Sequence, residues 1–219
     1  MKGLKKIVNL AIANDWMHKN PFAGIRFQEK EVIREVLTKE EIERMMCKEF
    51  ALPRLEYVRD VFIFCVFTGM AYVDVNNLRQ EHIVRDNNDD LWIRKARQKT
   101  NNMCNIPLLK IPQLLMEKYK NHPLCTKTGA LLPVPSNQKM NSYLKEIADF
   151  CGIQKNLTTH TARHTFATVV ALANGVSMEN IAKMLGHSDI RMTQRYAKVM
   201  DSSIMRDMEN VDKLFKSSE

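Results

Sequence analysis

Residues 160–196 read HTARHTFATVVALANGVSMENIAKMLGHSDIRMTQRY, and the fold and the chemistry turn on this stretch. Its apolar spacing predicts a helix over Thr161 to Ala173 and a second over Met178 to Leu185. Gly186 stops the second, and a third runs from Ile190 to about Tyr196. His160 and Arg163 are three apart at the start of the first helix. They therefore share a face near its positive end, a place suited to a phosphate. Singly these residues say little: a His/Arg pair also reads as a solvated helix end, His187 as a turn histidine after a glycine cap, and Tyr196 as core. Together with Lys99 in an upstream strand-turn they form a more specific set. Cationic donors, a hydroxyl nucleophile and an acid for the leaving group are what phosphodiester cleavage without a metal requires.

Upstream, Thr38-x-x-Glu41 is a capping box opening a helix to about Met46. A strongly apolar helix from about Leu55 to Phe67 follows and stops at Thr68-Gly69, with a shorter helix at Tyr72 to Asn77. Strand patterns at His82 to Val84, Leu91 to Ala96 and Met103 to Leu109 alternate with turn residues at Asp86 to Asp90 and Thr100 to Asn102. Helices are expected again at Pro112 to Lys120 and Asn137 to Phe150. The fold class is therefore mainly α with a small three-stranded antiparallel sheet.

The ends suggest a domain plan. Lys5 to Met17 forms an amphipathic stripe halted at Pro21, and a lone helix cannot bury its own apolar face. Residues 1–20 are expected to be the terminal helix of a truncated N-terminal domain, 21–37 a linker, and 38–219 one domain. At the far end Ile204, Met208, Val211 and Phe215 recur at helical spacing and predict a last amphipathic helix over 202–215.

A net charge of +8 points to a polyanionic partner. The surplus is local: Leu91 to Lys127 holds eight Lys/Arg against Glu117 alone. The longest apolar run, Val61 to Phe67, is far short of the roughly 20 residues of a membrane-spanning helix. No membrane association is expected, and the localisation is expected to be cytoplasmic. Cys47, Cys65, Cys104, Cys125 and Cys151 show no C-x-x-C spacing, so neither disulfides nor a metal site is expected.

Order and spacing resemble the tyrosine recombinase (phage integrase) family. The match rests on Thr68-Gly69-Met70, Lys99, His160-x-x-Arg163, Leu185-Gly186-His187-Ser188 and Tyr196, nine residues beyond His187. The resemblance implies a catalytic domain in which Tyr196 attacks the scissile phosphate, leaving a 3'-phosphotyrosyl bond and a free 5'-hydroxyl; a second 5'-hydroxyl then attacks the phosphotyrosine and reseals the strand. It implies site-specific recombination or integration of double-stranded DNA without any cofactor. Arg163 and His160 would hold the phosphate, His187 would support the transition state or Tyr196, and Lys99 would be the general acid. Lys95 and Arg97, on the same hairpin, would touch neighbouring backbone phosphates. The family's C-terminal segment packs on a neighbouring protomer, which implies a tetramer on DNA through the helix at 202–215. His164 is assigned to packing.

One position departs from the pattern. The first box of the family reads Thr-Gly-x-Arg, whereas here Ala71 stands in the fourth place, with Asp74 still at the family's acidic position. A branch of mobile-element integrases is similar in reading Phe-Thr-Gly-x-Ala/Ser. Arg59, on the adjoining apolar helix, is the expected replacement for the missing guanidinium. Two other readings explain less. A helix-turn-helix DNA-binding regulator built on Met178 to Tyr196 leaves Lys99, the His160/Arg163 pair and the tyrosine spacing unused, and a His160/His164/His187 metal site lacks a carboxylate.

Overall fold

The computed structural model describes residues 2–25 and 35–197. The chain divides into two compact units, Met1–Ile33 and Arg34–Glu219. In the first, α1 (Lys2–Ala13) leaves Leu4, Ile7 and Leu10 exposed. The expected linker falls partly, and the expected helix at 202–215 wholly, outside the described residues.

The second unit is built around α3 (Pro53–Thr68). Proline at its first position suits a turn whose N–H groups have no helical partner. From Leu55 to Val66 the apolar residues point in every direction, because α2 (Lys39–Cys47), α5 (Lys110–Tyr119), α7 (Asn137–Phe150) and α8 (Thr159–Thr165) cover it on different sides. Phe62 and Phe64 are fully buried. The helix ends at Gly69, whose φ of 66° is left-handed and whose N–H bonds Cys65 O at 2.8 Å. A Cβ at Gly69 would lie 2.4 Å from the Phe166 ring and 2.7 Å from Leu185 Cδ2, so only glycine lets α8 and α9 (Met178–Leu185) close over this cap.

The predicted cap at Thr38 forms, and a second, not anticipated, forms at Thr158. Thr38 and Glu41 exchange hydrogen bonds around the start of α2, and Thr158 and Thr161 do the same at α8. The sheet runs β1 (Ile83–Arg85), β2 (Leu91–Ala96), β3 (Met103–Pro107), antiparallel throughout, with Ile83 opposite Ile93 and Ala96 opposite Met103. Ile93, Cys104 and Ile106 bury one face. The β2–β3 turn closes through Arg97 N to Asn102 O at 2.9 Å, with Asn101 left-handed.

The short helix expected near Tyr72 forms as α4 (Tyr72–Asn76), with Ala71 as its N-cap. Other elements differ from the sequence reading: a short α6 (Pro123–Thr128) was not anticipated. The helix expected over Thr161 to Ala173 is α-helical only to Thr165, then widens into a π-helical turn over Phe166–Ala171. α10 (Arg191–Ala197) is the last element among the described residues.

The structure corrects the expectation for Arg59. Its guanidinium bonds the carbonyls of Met45 (2.8 Å), Met46 (3.1 Å) and Lys48 (2.8 Å) and pairs with Asp60. Asp60 also accepts from Lys118 and Tyr119, each at 2.7 Å. The reason is local. The last carbonyls of α2 lack helical partners, and a buried arginine on the facing side of α3 satisfies them. Ten residues of helix separate Arg59 from Gly69, roughly 15 Å at 1.5 Å per residue, beyond a side chain's reach. Arg59→Ala should therefore act on stability, costing about 3 kcal/mol as a broken buried pair. Urea titration by circular dichroism checks this. A variant of unchanged stability that is specifically impaired in DNA cleavage would contradict it.

Candidate active site

Arg163 gathers the site. It sits on α8, 7% exposed, and points back across the Gly69 cap. One terminal nitrogen donates to Gly69 O and the other to Leu185 O, both at 2.6 Å, and the latter also lies 3.3 Å from His187 Nε2. A planar fork thus ties the end of α3 to the end of α9 and leaves its outer edge facing His187.

His187 follows Gly186, whose left-handed φ of 60° turns the chain out of α9. Its N–H bonds Ala182 O at 2.9 Å, and its Nδ1 lies 2.9 Å from Oγ1 of the fully buried Thr193 on α10. Because an arginine can only donate, Nε2 accepts and Nδ1 carries the proton, donating to Thr193. Burial, then Arg163 and Arg97, push the imidazole down to about 4. The ring is accordingly neutral at pH 7. This gives a test by side-chain NMR: His187 should titrate near pH 4, and a midpoint near the ordinary 6.5 would contradict the geometry. The linked stability has a definite sign. The folded value lies below the unfolded one, so the contribution is complete above about pH 6.5 and is lost as pH falls towards 4.

Tyr196 on α10 is 9% exposed. Its ring stacks on His187, centroids 6.3 Å apart and planes 7° from parallel, and meets His164 at 5.2 Å. His164 thus packs against the tyrosine. Arg163 loses some of its affinity for protons through burial and through Arg97, an effect that Tyr196, Cys104 and Asp74 oppose.

Arg97, assigned from sequence to flanking phosphates, is turned inward. Its side chain is 13% exposed, one terminal nitrogen lies 3.4 Å from Gly186 O, and Nε stands 3.8 Å from the buried Asp74 carboxylate. Asp74 in turn accepts from Gln98 N at 3.0 Å, and Asn102 bonds Gly186 O at 3.2 Å, so hairpin, α4 and the Gly186 turn meet here. Lys95 pairs with His82 at 3.0 Å instead. Lys99 is exposed on the hairpin turn and, among the described residues, makes no hydrogen bond or ion pair with this cluster. His160 is exposed on the first turn of α8. The structure thus brings together Arg163, His187, Tyr196 and Arg97, and leaves Arg59 in the core. Thr193, which orients His187, was missed because a threonine three residues before a tyrosine carries no signal of its own.

A family model described as the phage integrase family matches residues 35–203. The chain belongs to the phage integrase family. Tyrosine recombinase XerD of Staphylococcus saprophyticus is 40% identical over 95 residues, 43% of this chain and 31% of that protein. XerD of Staphylococcus epidermidis is 38% identical over the same length. The match to these curated relatives therefore spans about a third of their length. Among solved structures, a lambda integrase dimer bound to a COC' core site superposes with a TM-score of 0.68 at 19% identity, covering 88% of this chain and 69% of that one. The Tn1549 transposon integrase in complex with circular-intermediate DNA gives 0.67 at 18% identity, covering 95% and 77%. XerA recombinase gives 0.60 at 21%, covering 85% and 66%. These likenesses place the second unit in the integrase catalytic fold, a mainly helical domain with a three-stranded sheet.

Proposed function

We propose that this chain is the catalytic part of a tyrosine-type site-specific recombinase that breaks and rejoins double-stranded DNA. The observation that carries it is the convergence of Arg163, His187 and Tyr196, from three separate helices or turns, on one place. Tyr196 Oη attacks the scissile phosphorus, the P–O5' bond breaks, and a 3'-phosphotyrosyl bond forms. The phenolic proton is lost to solvent or a neighbouring base, and the departing 5'-oxygen takes one from Lys99, exposed on its hairpin turn. A second 5'-hydroxyl attacks the phosphotyrosine, and the tyrosine leaves with its proton restored. Arg163 and His160 hold the nonbridging oxygens. His187, neutral and ring-stacked on Tyr196, accepts a hydrogen bond from Arg163 until phosphate arrives, and the phosphate's charge then offsets the cations that depress it.

The remaining assignments rest on the same reading. Lys95 contacts backbone phosphate near the cleavage point, residues 1–20 close a core-binding domain joined by the linker at 21–37, and residues 202–215 join protomers in a tetramer. Ala71 in the first box supports grouping the chain with mobile-element integrases. Lambda integrase and the Tn1549 integrase are described bound to DNA, which supports duplex DNA as the partner. No helix among the described residues is long and apolar enough to cross a membrane. A helix-turn-helix regulator would leave the Arg163–His187–Tyr196 cluster without a purpose. The test uses a pool of nicked duplexes with a randomised central segment, incubated with the chain in a metal chelator. Detergent-resistant, protease-sensitive adducts should accumulate on a subset of sequences, and a pool yielding none would count against the proposal.

A further inference from the structure

We propose that Arg97 is the second guanidinium of this anion site, delivered from the β2–β3 hairpin because position 71 holds only a methyl group; this rests on the reading of Tyr196 as the nucleophile beside that anion. Three observations converge on it. First, among the described residues, Arg97 Nε is the one buried side-chain nitrogen or oxygen with no hydrogen-bond partner. Asp74 at 3.8 Å is in ion-pair range but too far to accept, and Gly186 O at 3.4 Å is a long contact for the terminal nitrogen. Burying a donor unsatisfied is unfavourable, and such a group calls for a specific reason, of which a ligand's acceptor oxygen is one.

Second, the buried Arg163 and the largely buried Arg97 both depress His187, and Arg97 also lowers the proton affinity of Arg163. Among the described residues, Asp74 is the carboxylate beside them, 3.8 Å from Arg97 Nε and one of the groups that favour the charge on Arg163. An excess of cation at one buried place is unfavourable in the empty protein and becomes favourable when an anion with several acceptor oxygens enters. A phosphodiester has two nonbridging oxygens, and a planar fork from each side matches them.

Third, the backbone makes room for this side chain. A Cβ at Gly186 would lie 2.6 Å from Arg97 Cδ and 3.0 Å from Cγ, so the stem of Arg97 lies across the one residue of that turn without a side chain. The left-handed Gly186 therefore serves two ends: it turns His187 towards Arg163, and it lets the hairpin arginine pass into the site. Asp74, one turn into the helix that begins at Ala71, holds Gln98 N and faces Arg97 Nε, which fixes the hairpin end where the cation is needed.

The experiment follows the His187 ring by NMR while inorganic phosphate is added to the chain, and in parallel measures adducts on the randomised nicked pool. Arg97→Gln should raise the phosphate dissociation constant at least tenfold and move the His187 midpoint upward. Arg94→Gln, exposed on the same hairpin, should change binding less than twofold and serves as the charge control. Arg97→Lys keeps the charge but loses the fork. It should fold even if the glutamine variant does not, and should still weaken phosphate binding several-fold. Phosphate that does not bind at the His187 ring, or that binds Arg97→Gln or Arg97→Lys as tightly as the unaltered chain, overturns the proposal. Adduct formation separates the two readings: an unaltered chain that binds phosphate through Arg97 yet forms no adduct would sink the assignment of Tyr196 and leave the anion site standing.

Discussion

Arg163→Ala is expected to slow adduct formation by about 10²- to 10³-fold or more, as removal of a donor to transition-state charge does, and to destabilise the fold at the same time. Both effects come from one side chain because its inner edge is structural and its outer edge faces the site. The inner edge satisfies Gly69 O and Leu185 O, which alanine would leave buried and unpaired. At about 1–3 kcal/mol for each orphaned acceptor, less what is regained by removing a buried charge, a net loss near 3 kcal/mol is reasonable. For a domain of this size that lowers Tm by roughly 6–12 °C. Arg163→Lys keeps the charge but loses the fork: a single ammonium cannot span both carbonyls, so stability should fall together with the rate. Scanning calorimetry and single-turnover cleavage on the same preparations check this. An alanine variant that melts with the unaltered chain and cleaves within about threefold of it would show that Arg163 is neither tie nor clamp.

Much of this fold is legible in the residue pattern. α3 is readable because its apolar run is too long for a strand and ends in Thr68-Gly69, and the sheet because turn residues separate three short alternating runs. α6 is not, since six residues opened by Pro123 are too few to show a period. The π-helical turn at Phe166–Ala171 is equally silent: its spacing still looks helical, and Thr168 bonding His164 O at 2.8 Å shows only in three dimensions.

The site divides the same way. Arg163, His187 and Tyr196 could be read from spacing, and the structure places them in contact. The missing guanidinium could not. Arg59 looked well placed because two positions near a turn are close in sequence, but the free carbonyls ending α2 take its donors first. Lys95, Arg97 and Lys99 alternate along one hairpin, and nothing in that alternation says which turns inward. The decision lies elsewhere in the chain, in the absence of a Cβ at Gly186 and the presence of a carboxylate at Asp74.

Tyr196→Phe should abolish adduct formation altogether while leaving the fold close to unchanged. The phenolic oxygen is the only atom removed, so no nucleophile remains to attack phosphorus. The ring stays, and with it the stacking on His187 and the packing against His164. The His187 titration should therefore persist in the variant, which separates loss of chemistry from loss of structure.

The most direct measurement is to digest the covalent adduct with protease and nuclease and locate the nucleotide by tandem mass spectrometry. The account predicts a single modified peptide carrying a 3'-linked nucleotide on Tyr196, absent from Tyr196→Phe. A nucleotide on any other residue, or an adduct that survives that substitution, would contradict it.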